Sequence, residues 1–316
     1  MRRPGPFTRY RLVLALVGQL LVLAPVTAAP PRVLASILPL HSLAAAVMTR
    51  VAEPSLLLRG ALSPHDYAMR PSEAQLLQQA EVVFWVGPEL ESFLQRPIAA
   101  STARSVALIE APGIQRLALR GSIAGSGHAH EVQDLDGSPP SLDVVDPHIW
   151  LSPSNAIAIA EHMAEVLAEV DPQRADSYRE NAATVREHLT RLKVEVNELL
   201  DPVRARPFAV FHDAFQYFEV SFGLHSVGAM VLHPELGPGA RRLQMLREQF
   251  TSGELTCVFT EPQFDPDLVE RMVEGTDARV GVLDPLGSTV TPGAGAYGQL
   301  LRALAGSLAA CLRVSD

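Results

Sequence analysis

DPQRADSYRENAATVREHLTRLKVEVNELLDP, residues 171–202, is the stretch that decides the fold. Ala175, Tyr178, Ala182, Val185, Leu189, Leu192, Val196 and Leu199 recur at three- and four-residue steps, the period of one helix face. Asp171 is placed to cap this helix, Pro172 suits its first turn and Pro202 stops it. About 30 residues at about 1.5 Å each span roughly 45 Å. A helix of that length between two compact halves is a stiff spine that permits little relative motion.

Outward from the spine, short apolar runs alternate with helical patterns. Residues 32–37, 55–59, 81–86 and 105–108 read as strands of a first half, and 208–211, 225–232, 255–259 and 279–283 as strands of a second. Helical patterns cover 40–51, 71–79, 89–95, 153–170, 241–251, 266–274 and 297–312. Ser152 with Pro153 marks one helix start, and Ser72 with Gln75 fits a capping box. Such alternation predicts an α/β protein with mostly parallel sheets. The expected division is 29–170 for the first lobe, 171–202 for the connecting helix and 203–316 for the second lobe. No internal sequence repeat, phosphate-cradling loop or nucleophile elbow is evident.

Residues 1–28 read as a cleaved export signal. Arg2, Arg3, Arg9 and Arg11 precede an apolar run over 12–23, and Val26-Thr27-Ala28 supplies small residues before a cut. The run falls short of the roughly 20 residues that span a bilayer. No Cys stands near the cut to take a lipid, so a soluble periplasmic protein is expected. The formal charge of −9 becomes −13 once the four leader arginines are removed. That balance argues against nucleic acid as a partner. The two cysteines, Cys257 and Cys311, are expected to pair in an oxidising compartment, with a pair of thiolate metal ligands as the alternative. A bond would close a loop of about 50 residues and contribute roughly 4 kcal/mol.

Three histidines stand at turns in distant parts of the chain: Ser63-Pro64-His65-Asp66-Tyr67, Asp146-Pro147-His148-Ile149-Trp150 and Val210-Phe211-His212-Asp213-Ala214. Asp284, in Val282-Leu283-Asp284-Pro285, has the same kind of setting. His65, His212 and Asp284 each follow or end a predicted strand, where open α/β sheets bind ligands. Three imidazoles plus a carboxylate or water suit Zn²⁺. Asp66 and Asp213 are placed to orient the imidazoles. His41, His162 and His188 fall in ordinary helical patterns, while His225 and His233 lie near the loops of the second half. Residues 121–145, rich in Gly, Ser, Pro and Asp, read as a mobile loop. Its pair His128 and His130 is a possible accessory metal site.

With these motifs, the chain resembles the zinc-binding components of bacterial zinc-uptake ABC transporters, the ZnuA family. The resemblance covers nearly all of 29–316. It is carried by the three histidine segments, by Val83-Phe84-Trp85-Val86-Gly87-Pro88-Glu89, by Cys257-Val258-Phe259-Thr260-Glu261-Pro262-Gln263-Phe264 and by Leu283-Asp284-Pro285-Leu286-Gly287. It implies two α/β lobes on a rigid helix, with one Zn²⁺ held between them by His65, His148 and His212. It also implies a Cys257–Cys311 bridge, a monomer, and delivery of the ion to a cognate permease in the inner membrane. Asp284 stands where the wider family places a carboxylate ligand, with Glu261 or water as alternatives. Members of a manganese branch carry a carboxylate where His212 stands, which suits a harder ion. Two departures are visible: Pro64 replaces a carboxylate found before the first histidine in some members, and the His- and Asp-rich loop is short. The resemblance implies a carrier and no enzyme. Its rivals are a manganese carrier or surface adhesin, and a zinc hydrolase with Glu261 as general base. Neutral imidazoles are needed for binding, so affinity is expected to fall as pH drops through roughly 6.5.

Overall fold

The structure is a computed structural model that describes residues 28–120, 145–232, 237 and 239–313. The first half runs β1 (Val33–Ala35), α1 (Leu38–Val47), β2 (Ser55–Leu56), α2 (Pro71–Gln79), β3 (Val82–Trp85), α3 (Gln95–Ala99) and β4 (Arg104–Ala107). Two long helices follow, α4 (Pro153–Val170) and α5 (Ala175–Leu200). The second half runs β5 (Pro207–His212), α6 (Gln216–Phe222), β6 (His225–Val231), α7 (Ala240–Ser252), β7 (Cys257–Thr260), α8 (Asp267–Val273), β8 (Arg279–Val282) and α9 (Ala296–Leu312).

Each half holds a four-stranded sheet, ordered β2-β1-β3-β4 and β6-β5-β7-β8. Every strand pair within them is parallel. The two orders are the same, although no sequence repeat announces it. In both, the chain reverses its direction of travel between the two central strands, the position where α/β sheets open a crevice.

All eight expected strands form, with ends displaced by up to three residues, and β5 is longer than expected. The spine differs at its start. Asp171 does not cap it, because its carboxylate accepts from Arg174 Nη1 (2.8 Å) and Tyr178 Oη (2.9 Å). Residues Pro172–Arg174 form a 3-10 turn, and α5 begins at Ala175 with 26 residues, about 39 Å. Tyr178, Ala182, Val185, Leu189, Leu192, Val196 and Leu200 are its buried face. Leu200 takes the place expected of Leu199.

Ser152 does cap α4, its Oγ accepting from Asn155 N at 3.3 Å. The expected Ser72–Gln75 box is replaced by Glu73, whose carboxylate accepts from Arg70 N and Tyr67 Oη, both at 2.7 Å. The helix expected over 89–95 is displaced to Ser92–Leu94 and α3. Glu91 turns inward there and accepts from Val86 N and Gly87 N, so 87–91 close as a turn.

One continuous apolar cluster threads α1, α4, α5, α9 and the inner faces of both sheets. Each large side chain buried there contributes about 1.5–3 kcal/mol. The halves are also tied by buried hydrogen bonds. Trp150 Nε1 donates to Pro285 O at 2.8 Å, and Tyr297 Oη donates to Trp150 O at 2.7 Å. Tyr297 N donates to Ser42 Oγ at 2.8 Å. Cys257 and Cys311 are disulfide-bonded across 6.0 Å between Cα atoms, which pins α9 to β7. Among the described residues, no helix is long and apolar enough to cross a membrane.

Candidate metal centre

The three predicted histidines meet between the two sheets. His65 lies in the loop after β2, and His148 opens the 3-10 turn Ile149–Leu151 ahead of α4. His212 is the last residue of β5. One ring nitrogen from each lies within 4.8 Å of the others. Nε2 of His65 and Nε2 of His148 are 3.3 Å apart. Two ligands about 2.05 Å from a zinc ion at the tetrahedral angle would be ~3.3 Å apart, so the spacing fits. Trp150, Glu261, Gln263 and Phe264 line the cavity with the three histidines.

Two carboxylates set the tautomers. Asp146 Oδ1 accepts from His148 N at 3.0 Å and faces His148 Nδ1 at 2.7 Å. Glu261 accepts from His212 N at 3.2 Å through Oε1 and faces His212 Nδ1 at 3.3 Å through Oε2. An ionised carboxylate only accepts, so with Asp146 and Glu261 charged each Nδ1 carries the proton and each Nε2 presents a lone pair. His148 and His212 are both 3% exposed. Lone pairs converging where water scarcely reaches are unfavourable unless a cation takes them.

Burial shapes the ionisation. It holds His148 well below the ordinary histidine value, with repulsion from His212 adding to it. Burial also opposes charge on His212, but Glu261, together with Asp213 and Asp146, outweighs it and leaves that imidazole raised. Desolvation pushes Asp146 up to about 7 and raises Glu261 as well.

Asp66 and Asp213 do not orient the imidazoles. Asp66 is exposed, and Asp213 pairs with Arg120. Arg120 comes from the first half's chain, beside the Ala118–Val145 bridge, and reaches across to Asp213 and Glu219 of the second. Tyr217 continues this seam, accepting from Leu117 N and donating to Asp146 O, both at 2.9 Å. Asp284 is gripped by its own loop. Its Oδ1 accepts from Gln263 Nε2, Leu286 N and Gly287 N, and its Oδ2 from Ser288 N and Ser288 Oγ. Gly287, at φ +71, closes the turn that wraps it. Both oxygens are thus spent on the loop, and the described metal-ligand group is the three histidines alone.

Sequence reasoning missed Asp146 and Glu261 as orienting groups, and it missed Arg120 entirely. The Asp-Pro-His spacing at 146–148 was the one available signal. His128, His130 and His233 lie outside the described residues. His41, in the helical pattern of α1, is buried, facing Pro54 O through Nε2 at 3.1 Å.

Known proteins give the same frame. The family model described as "Zinc-uptake complex component A periplasmic" matches residues 33–311. The high-affinity zinc uptake system protein ZnuA of Brucella abortus (strain 2308) is 42% identical over 304 residues, covering 89% of this chain and 91% of the relative. The protein of the same name from Yersinia pestis is 36% identical over 306 residues, covering 94% and 96%. A solved structure of a zinc-bound ZnuA deletion mutant superposes with a TM-score of 0.75 at 27% identity, covering 91% of this chain and all of that one. With a match from β1 to the middle of α9's last turn and relatives aligned nearly end to end, this chain belongs to the ZnuA family of zinc-uptake components.

Proposed function

We propose that the chain captures one Zn²⁺ between its two halves and delivers it to a membrane permease driven by an ATPase. The observation that carries this reading is the convergence of His65, His148 and His212 with carboxylates fixing two of the three tautomers. Three imidazoles favour zinc over the harder manganese ion, which prefers oxygen donors. Asp284 is left out of the donor set, since its two oxygens already accept five hydrogen bonds. The names of the relatives support zinc as the cargo. The buried ties through Trp150, Tyr297 and Ser42 argue against wide opening of the halves. Release would then come from movement of a ligand-bearing loop, and the loop of the partly exposed His65 is the one we assign to it.

The same proposal takes residues 1–28 as a cleaved leader and places the protein in the periplasm as a monomer. Residues 1–27 lie outside the described ones. The lobes are 29–170 and 203–316, joined by 171–202.

The test is metal titration of the metal-free protein against a chelator of known affinity, with Zn²⁺ and Mn²⁺ in competition. One tight zinc site per chain is expected, weakened more than about 100-fold in His65→Ala and His212→Ala, beyond the loss of an outer partner. A preference for Mn²⁺, or weak zinc binding, would overturn the reading. Hydrolytic turnover by the zinc-loaded protein would move it to the enzyme alternative.

A further inference from the structure

Three imidazoles leave one corner of a zinc tetrahedron open, and Asp284 does not fill it. The geometry points to Gln263 as the residue that holds the fourth position, its Oε1 accepting a hydrogen bond from the water bound to zinc. This rests on the zinc-carrier reading and deepens it.

The turn Glu261-Pro262-Gln263-Phe264 follows β7 directly and is closed by Phe264 N donating to Glu261 O at 3.2 Å. Proline at its second position presets the bend. This one turn supplies Glu261 to His212 and sets the Phe264 ring 5.7 Å from the His212 ring. It also lines the cavity with Gln263. The Gln263 amide has a fixed sense. Its Nε2 donates to Asp284 Oδ1 at 2.9 Å, and a carboxylate offers no proton, so the amide cannot be turned over. Its Oε1 is then a buried oxygen without a hydrogen-bond partner. A buried acceptor left so is unfavourable unless something donates to it.

A zinc-bound water is a strongly polarised donor, and the fourth corner is where such a water sits in a three-histidine site. Asp284 becomes a positioning residue: clamped by its own loop, it holds the amide nitrogen and so presents the amide oxygen. The carboxylate thereby acts on the metal at one remove. A neutral acceptor in place of a charged ligand also leaves less attraction for an ion that seeks anionic oxygen.

The test compares the wild type with Gln263→Met, which keeps length and volume but has no acceptor, and with Gln263→Glu, which restores an oxygen. Zinc affinity is read by chelator competition. The visible spectrum of the Co²⁺-loaded protein reads the fourth position. Gln263→Met is expected to bind zinc about 10- to 100-fold more weakly, the loss typical of an outer partner, with a changed cobalt spectrum. The melting temperature of its metal-free form should stay near wild type, while the rise on adding zinc shrinks. Gln263→Glu keeps an oxygen toward the metal but sets a carboxylate against Asp284 in place of the amide N–H, so it should gain in relative Mn²⁺ binding without reaching wild-type zinc affinity. If Gln263→Met fails to fold, Gln263→Asn, which withdraws the amide by one methylene, is held to the same expectation. Affinity within about twofold of wild type and an unchanged cobalt spectrum, with His212→Ala still defective, would overturn the role of Gln263 and leave the carrier reading standing. Absence of tight zinc binding in the wild type would overturn both.

Discussion

The two sheets have one topology and two different uses of its centre. In the first, Ser36 follows the central strand β1 and donates to the carboxylate of Glu91, which also accepts from Val86 N and Gly87 N. In the second, His212 ends the matching strand β5, and Glu261 after β7 accepts from its backbone and faces its ring. Both glutamates are buried, at 0% and 2% exposure. The first crevice is closed by a hydrogen-bonded plug; the second presents an imidazole. The first half instead contributes its candidate ligands from outside its own switch point, His65 from the loop after β2 and His148 from the crossover into α4. One topology thus carries a hydrogen-bonded plug at Ser36, just past β1, and an imidazole at His212, the last residue of β5.

The second half is also more heavily clamped. Arg120 reaches it from the first half's chain and meets Asp213 and Glu219, which are 4% and 5% exposed. Arg120→Met would leave two buried carboxylates without their cation, so a loss of about 3–5 kcal/mol is expected in urea unfolding. A loss below about 1 kcal/mol would show that water already screens the pair. The disulfide is the next largest difference. Replacing Cys257 and Cys311 by Ser together frees a loop of 54 residues and should cost about 4 kcal/mol. If the melting temperature is unmoved, α9 is held by its apolar face alone.

The plug itself can be tested by pH. Burial pushes Glu91 up to about 7 from an ordinary 4.5. The folded chain thus keeps a proton that the unfolded chain releases between those values. The stability this contributes is complete below about pH 4.5 and is lost as pH rises toward 7, by up to about 3 kcal/mol. Glu91→Gln has no such proton, so its metal-free form should lose less stability than wild type between pH 5 and pH 8. Parallel pH profiles for the two would mean that Glu91 is ionised in the folded state throughout.

How far the sequence reaches can be seen on the same two ends. The strands, α4, the spine face and the three histidines are legible because periodicity and turn residues are local. α6 is not: Gln-Tyr-Phe-Glu-Val-Ser-Phe lacks helical propensity, and it forms a helix because Tyr217, Phe218 and Phe222 are buried from several sides before Gly223 stops it at φ +62. The orienting carboxylates escape for a related reason. Asp146 and Glu261 differ from other acids only in what folding brings against them. Asp284 stands after β8, where a ligand would, and that Leu286, Gly287 and Ser288 donate to it is something only the loop's backbone reveals.

The smallest of these effects bears on the comparison most directly. Glu261→Ala removes the group that turns a strand-end histidine into a ligand, while leaving the imidazole in place. His212 would lose the partner for Nδ1, and the ring would no longer be held with Nε2 toward the metal. Zinc affinity at pH 8 should fall about 10- to 100-fold, or about 1.4–2.7 kcal/mol. The acid edge should move the opposite way. Glu261 raises the His212 pKa, so protons compete with zinc from the alkaline side of the ordinary histidine range. Without that carboxylate the burial of His212 lowers its pKa, and the remaining affinity should persist to lower pH than in wild type. Weaker binding with a lower acid edge distinguishes lost orientation from general damage, which would weaken binding without lowering the edge. Wild-type affinity and an unmoved edge would mean that the second crevice, like the first, holds its glutamate for the fold alone.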